Sequence, residues 1–181
     1  MTRSLGELDL LYRTGAPEAR LDAVKAALAQ KELWEPAKRW GGLFLRWARA
    51  EDMPPRVCDI LGPKLIGPLW LSGDIEARQL VALSLWPKVW PWRAGLTALC
   101  PSLERDDTDW PLFEQFAKAC AEEESRFGQE RQAYNGLLRA LRCARAGCAG
   151  RAAGWVDRHE PTLPGFVVAG FRQEASAEDL P

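Results

Sequence analysis

Gly73-Asp-Ile-Glu-Ala-Arg-Gln-Leu-Val-Ala-Leu-Ser-Leu-Trp-Pro-Lys-Val-Trp-Pro-Trp92 decides the fold class. A turn glycine and Asp74, a residue type that caps helix N-termini by accepting from their orphan N–H groups, precede Arg78, Leu80, Val81, Leu83 and Leu85 at helical spacing. Pro87 has no N–H to donate, so it bends or stops that helix near Trp86, and Trp92 to Leu99 forms its antiparallel partner before Pro101. The stretch has an earlier counterpart. Gly15-Ala-Pro-Glu-Ala-Arg20 and Gly73-Asp-Ile-Glu-Ala-Arg78 share the pattern G-x-x-E-A-R, and the same offset of 58 residues pairs Ala23 with Val81, Ala27 with Leu85, Leu28 with Trp86 and Trp34 with Trp92.

Helical patterns continue on both sides. Ser4 and Glu7 have capping-box spacing ahead of Leu5, Leu8, Leu11 and Tyr12, and Pro17 suits the first turn of a helix that carries Leu21, Val24, Ala27 and Leu28. Trp40, Leu43, Phe44 and Trp47 follow at i, i+3, i+4, i+7, with Lys38, Arg39, Arg46 and Arg49 around them and Gly41-Gly42 marking close packing or a bend. Gly62-Pro63 and Gly67-Pro68 predict short, kinked pieces. Thr108 or Asp109 can cap a helix with Trp110, Phe113, Phe116, Ala117 and Cys120 inside. A regular apolar stripe then runs from Gln129 through Leu141 and Ala144 to Gly147, and Ala149 to Val156 adds a short helix. The chain is expected to be all-α, one helical-repeat domain over 1–160 and an extended or partly disordered tail over 161–181, the last residues EASAEDLP being the loosest.

Composition narrows function. A chain of 181 residues with 47 % hydrophobic residues can bury a core, and its net charge of −1 draws it neither to nucleic acid nor to an anionic membrane. Charge is uneven: eight acids lie between Ser102 and Ser125, and seven arginines between Arg126 and Arg158, which predicts a dipolar molecule. No signal-peptide pattern opens the chain and no stretch nears the roughly 18 apolar residues of a membrane helix, so a cytoplasmic protein without a membrane is expected. Five scattered cysteines in helical patterns are expected to be packed, reduced thiols.

Helix pairs broken by Gly and Pro, opening on Gly15, Ala19, Arg20 and on Gly73, Ala77, Arg78, resemble HEAT-like α-solenoids over Leu5 to Ala146. The offset of 58 exceeds the roughly 40–47 residues of a regular HEAT repeat, so the units are expected to be irregular. The resemblance implies a stack of antiparallel helix pairs whose concave face binds a partner, and one HEAT-like branch, the alkylpurine DNA glycosylases, holds DNA there.

Chemistry is sparse. His159 is the one histidine, beside Glu160-Pro161, and Cys143, Cys148 and His159 fit no compact zinc spacing; no glycine-rich phosphate loop occurs. The expectation is therefore a non-enzyme with no catalytic residue, metal or cofactor. Nine tryptophans are the compositional outlier, and tryptophan is both a core filler and the commonest hot-spot residue. Trp40, Trp47, Trp86 and Trp110 lie on apolar faces and are expected in the core, whereas Trp34, Trp90 and Trp92 flank turns and are expected at a surface. Arg139, Arg142 and Arg145 rise on one helix face, either as a solvated ladder, paired with Glu122 to Glu124, or as an anion site with Arg46 and Arg49. Together these predict a protein-binding module, an adaptor or an immunity or inhibitor protein, using Trp34, Trp90, Trp92, Arg46, Arg49, Arg139, Arg142 and Arg145. The alternative is a nucleic-acid-binding protein that uses the arginines of 126–158.

Overall fold

The first turn of the first helix forms as its spacing dictates: the Glu7 N–H donates to the Ser4 hydroxyl at 3.3 Å and the Ser4 N–H to the Glu7 carboxylate at 2.6 Å. In the computed structural model, which describes residues 2–50, 52–122, 126–127 and 130–178, this cap opens α1 (Leu5–Arg13). Pro17 opens α2 (Pro17–Ala29), where its missing N–H costs nothing. Gly15 between them has φ +83°, and Gly73 has φ +78°, so both glycines of the repeated motif hold the left-handed turn that other residues resist.

In α3 (Ala37–Ala48) the Trp40, Leu43, Phe44, Trp47 face is buried. Gly41 faces Ile75, 3.1 Å from where its Cβ would stand, while Gly42 faces open space; the pair marks close packing on one side. The predicted short pieces are α4 (Pro55–Ile60), a π-helical turn (Leu61–Ile66) and α5 (Gly67–Leu71), with the Gly67 N–H reaching back to the Gly62 carbonyl. Their glycines have a second cause besides breaking helices. A Cβ at Gly62 would stand 2.6 Å from the Ala94 carbonyl oxygen and one at Gly67 2.9 Å from that of Ala98, so both let this segment cross the next long helix closely.

After α6 (Ala77–Ser84) comes α7 (Val89–Ala98), in which every residue from Pro91 to Ala98 is buried. The molecule is therefore centred on α7, which packs against α4, the π turn, α6, α9 (Trp110–Ala121) and α10 (Arg131–His159), rather than on the predicted helix after Gly73. That helix starts at Ala77 and not at Asp74: Glu76 is the cap, its N–H donating to the Gln79 side chain at 2.8 Å, while the Asp74 carboxylate accepts from Ser72. The short α8 (Cys100–Leu103) lies against α10, which breaks at Cys148 (φ −147°, ψ 52°), so its two halves match the predicted end at Gly147 and restart at Ala149. The predicted start at Gln129 lies outside the described residues.

Among the described residues there is no strand, and no helix is long and apolar enough to cross a membrane. The extended tail is corrected by α11 (Gly165–Glu178). Pro164 accepts the first-turn bond from the Val167 N–H at 2.9 Å, and Val167, Val168 and Phe171 are buried, a helical spacing that the surrounding prolines and glycines obscured. Of EASAEDLP, residues 174–178 continue this helix and 179–181 lie outside the described residues.

Aromatic side chains build the interior in clusters. Tyr12, Trp47, Phe44, Trp40 and Trp34 form a chain of ring contacts beneath α1–α3, Trp92 meets Phe127, and Trp110, Phe113, Trp155 and His159 run under α9 and α10.

Candidate functional site

Trp34 and Trp92, expected at the surface, are core residues. Trp34 is 8 % exposed and its indole N–H donates to the Ala27 carbonyl at 3.1 Å; Trp92 is fully buried and donates to the Phe116 carbonyl at 3.0 Å. Each has the one buried partner an indole needs, and proximity to a turn did not expose it. Trp90 is half-buried with the Arg93 guanidinium 5.7 Å from its ring centre. Trp40, Trp47 and Trp110 are buried as expected, whereas Trp86 is only half-buried under the guanidinium of Arg49, 5.7 Å from the ring.

The arginine ladder works inside the molecule. Arg139 donates to the Asp59 carbonyl at 3.2 Å and pairs with its carboxylate at 3.6 Å, sharing that carboxylate with the buried Arg93. Arg142 and Arg145 donate to the carbonyls of Gly170 and Phe171, whose second lone pairs remain open beside the helical bonds. The ladder thus ties α10 to α4 and α11. The charged blocks also meet, with Arg151 2.9 Å from Asp107 and Arg158 3.7 Å from Glu114. Glu122 pairs with Lys118 at 3.4 Å, and Glu123 and Glu124 lie outside the described residues.

The remaining basic surface is on α3. Arg39, Gly42, Arg46 and Arg49 fall on one exposed or open stripe, Lys38 stands beside it, and Ala37–Ala48 contains no acidic residue. Gly42 leaves a gap between the long side chains, and there a depression of about 350 Å³ is lined by Leu5, Gly6, Asp9, Lys38, Arg39 and Arg46 among others. It shares Asp9 and Arg46 with a second depression of about 380 Å³ lined by Tyr12, Arg13, Arg20, Trp47 and Ala50. Asp9 is held by the Trp47 indole N–H at 3.0 Å and by Arg46 at 3.4 Å. The floor is rigid: Tyr12 stacks on Trp47 with ring centres 4.5 Å apart and planes within 4°, and its hydroxyl donates to the Trp47 carbonyl at 3.0 Å. Burial pushes the Tyr12 pKa upward, so it is a neutral donor at ordinary pH.

Arg20 was visible only as the end of the repeated motif; it lies at i−3 from Ala23 and i−4 from Val24, on the buried face of α2, which is the signal that places it inside. It is 8 % exposed, bonds the carbonyl and carboxylate of Asp52 at 3.1 and 2.7 Å, and holds the Asp52 pKa below the usual carboxylate range chiefly through that hydrogen bond. Arg78, its counterpart in the motif, is exposed and pairs locally with Glu76.

The residues weighed for metal or thiol chemistry sit in packing roles. His159 Nδ1 is 2.8 Å from the Trp155 carbonyl and its ring stacks on Trp155. Cys58 and Cys120 are pushed up to about 12 by burial, and Cys143 is held protonated chiefly by its hydrogen bond with Cys100. No family model, no curated protein and no solved structure matches the chain.

Proposed function

We propose that this protein is a non-enzymatic binding module, an adaptor or inhibitor, that docks an acidic segment of another protein on the basic face of α3 and its groove against α1. The observation that carries this is the stripe of Arg39, Arg46 and Arg49 with Lys38, free of acids across Ala37–Ala48 and opening at Gly42 onto a groove. Basic side chains gathered this way steer and hold an acidic partner, and the rigid Tyr12–Trp47 floor lowers the ordering cost of binding. The likeness to HEAT-like proteins supports the same role, since their helix pairs present such surfaces; here α1–α2 and α6–α7 each follow or enclose a left-handed glycine turn at Gly15 and Gly73.

A nucleic-acid role through 126–158 draws less support, because Arg139, Arg142, Arg145, Arg151 and Arg158 are engaged within the chain. The test is charge reversal on the stripe. Arg39→Glu with Arg46→Glu is expected to abolish capture of an acidic partner while leaving the fold intact, as Arg39 and Arg46 are exposed and Arg46 makes one long surface ion pair. Retention of the same partners by that variant would end the proposal.

A further inference from the structure

The depression between α1, α2 and α3 has a buried charged side chain in its lining. Arg20 lines it while more than nine-tenths buried. Its Nη1 is committed to Asp52, and its Nε–H is buried with no hydrogen-bond partner. An unmade hydrogen bond on a buried, charged guanidinium is costly unless something else fills it. Nη2 lies next to the Gly15 turn, where a Cβ would stand 3.8 Å away. The guanidinium sits 5.4 Å from the Tyr12 ring centre, so its plane is fixed between the ring and the carboxylate of Asp52. Nε–H is enclosed, so Nη2, which shares its edge of the guanidinium and makes no hydrogen bond among the described residues, is the nitrogen left to meet an oxygen of a carboxylate or phosphate.

Two further cations line the same space. Arg13 is exposed at its mouth and has no ion-pair partner among the described residues, and Arg46 makes a 3.4 Å contact to Asp9 that an incoming anion can replace. Among the described residues Asp9 is the one carboxylate in the lining, and its Oδ1 is taken by the Trp47 indole at 3.0 Å.

We propose that this depression is an oxyanion site, in which Arg20, Arg13 and Arg46 hold a single carboxylate or phosphate group above the Tyr12–Trp47 pair. It rests on the docking face described above, with whose groove it shares Asp9 and Arg46: the partner's acidic segment inserts one such group here. Carboxylate from Asp or Glu and phosphate from a modified side chain share this chemistry, and the probes below separate them.

The test is a guanidinium NMR titration of the full chain at constant ionic strength with inorganic phosphate, acetate, a short Glu-rich peptide and, as control, chloride. Saturable movement of the Arg20 Nε–H resonance with phosphate alone supports a phosphate group, and movement with acetate or the peptide supports a carboxylate. Arg13→Gln, which removes an exposed side chain and leaves Arg20 and Asp52 in place, is expected to weaken that binding about tenfold. An Arg20 resonance that no probe moves beyond chloride, or binding that Arg13→Gln leaves unchanged, overturns the site. The two proposals fail separately. A peptide that shifts the Arg39 and Arg46 resonances but not Arg20 removes the pocket and keeps the docking face. Phosphate that binds at Arg20 with no effect of Arg39→Glu and Arg46→Glu on a protein partner does the reverse.

Discussion

Gly147 and Gly42 are both helix-interior glycines, and their surroundings give them opposite roles. A Cβ at Gly147 would stand 2.3 Å from the Leu103 carbonyl oxygen and 2.8 Å from the Asp106 N, backbone atoms that cannot step aside, whereas Gly42 has open space. Gly147→Ala is therefore expected to destabilise by about 1–3 kcal/mol through overpacking. Gly42→Ala is expected to stabilise by about 0.4–1 kcal/mol, since alanine loses less backbone freedom on folding. Urea denaturation of the two variants checks both signs. Cys58 and Cys120 give a pH dependence at the same scale. Their folded values near 12 exceed the ordinary thiol value of 9.0, so between these limits the unfolded chain releases protons that the folded chain keeps. Their stabilisation is complete below about pH 9 and declines as pH rises toward 12, by up to about 1.4 kcal/mol per pH unit for each thiol. Stability measured from pH 8 to 11 should fall more steeply in the wild type than in a Cys58→Ala, Cys120→Ala variant. Equal slopes would show that these thiols do not carry the effect.

Among the elements, α11 is where local sequence and tertiary structure diverge most. Pro161, Pro164, Gly165 and Gly170 speak against regular structure, yet Gly170 lets α11 pack closely on α10, with Leu138 2.9 Å from where its Cβ would stand. Arg142 and Arg145 then bond the adjoining carbonyls, and Phe171 lies under the Arg145 guanidinium at 5.4 Å. Phe171→Ala is expected to cost about 3–5 kcal/mol, and a chain ending at residue 160 should melt well below the full one, because Leu138 and Tyr134, which face Gly170 and Phe166, lose their cover. A truncated chain as stable as the full one would show that α11 contributes nothing. The elements with local signals were legible: the Ser4/Glu7 box, Pro17 at a first turn, the Trp40-to-Trp47 stripe and the break after Gly147 all set their own boundaries. The start of α6 was not, since Asp74 and Glu76 are both competent caps and only the reciprocal bond with Gln79 selects the second.

For the whole molecule, helical periodicity made the class legible and left the centre hidden. From Pro91 to Ala98 α7 is buried on all sides, Arg93 and Thr97 included, so it offers no one-sided stripe to read; its two glycine-mediated crossings at Gly62 and Gly67 come from residues that read locally as breakers. The candidate site was half legible. Arg46 and Arg49 stand out because α3 has no acids, but Arg20 and Tyr12 join them only through packing of α1 and α2, and exposure of Trp34 and Trp92 cannot be judged from neighbouring prolines. The ladder of Arg139, Arg142 and Arg145 misled for the same reason, since the carbonyls it bonds are remote in the chain.

The most direct test of the account is to capture partners from nuclease-treated extract with the wild type and with the Arg39→Glu, Arg46→Glu variant, purify the retained protein and measure its affinity at rising salt. An acidic protein is expected that binds the wild type, is held less tightly as salt screens the α3 stripe, and fails to bind the variant. A partner bound equally by both forms, or one whose capture requires nucleic acid, would contradict it.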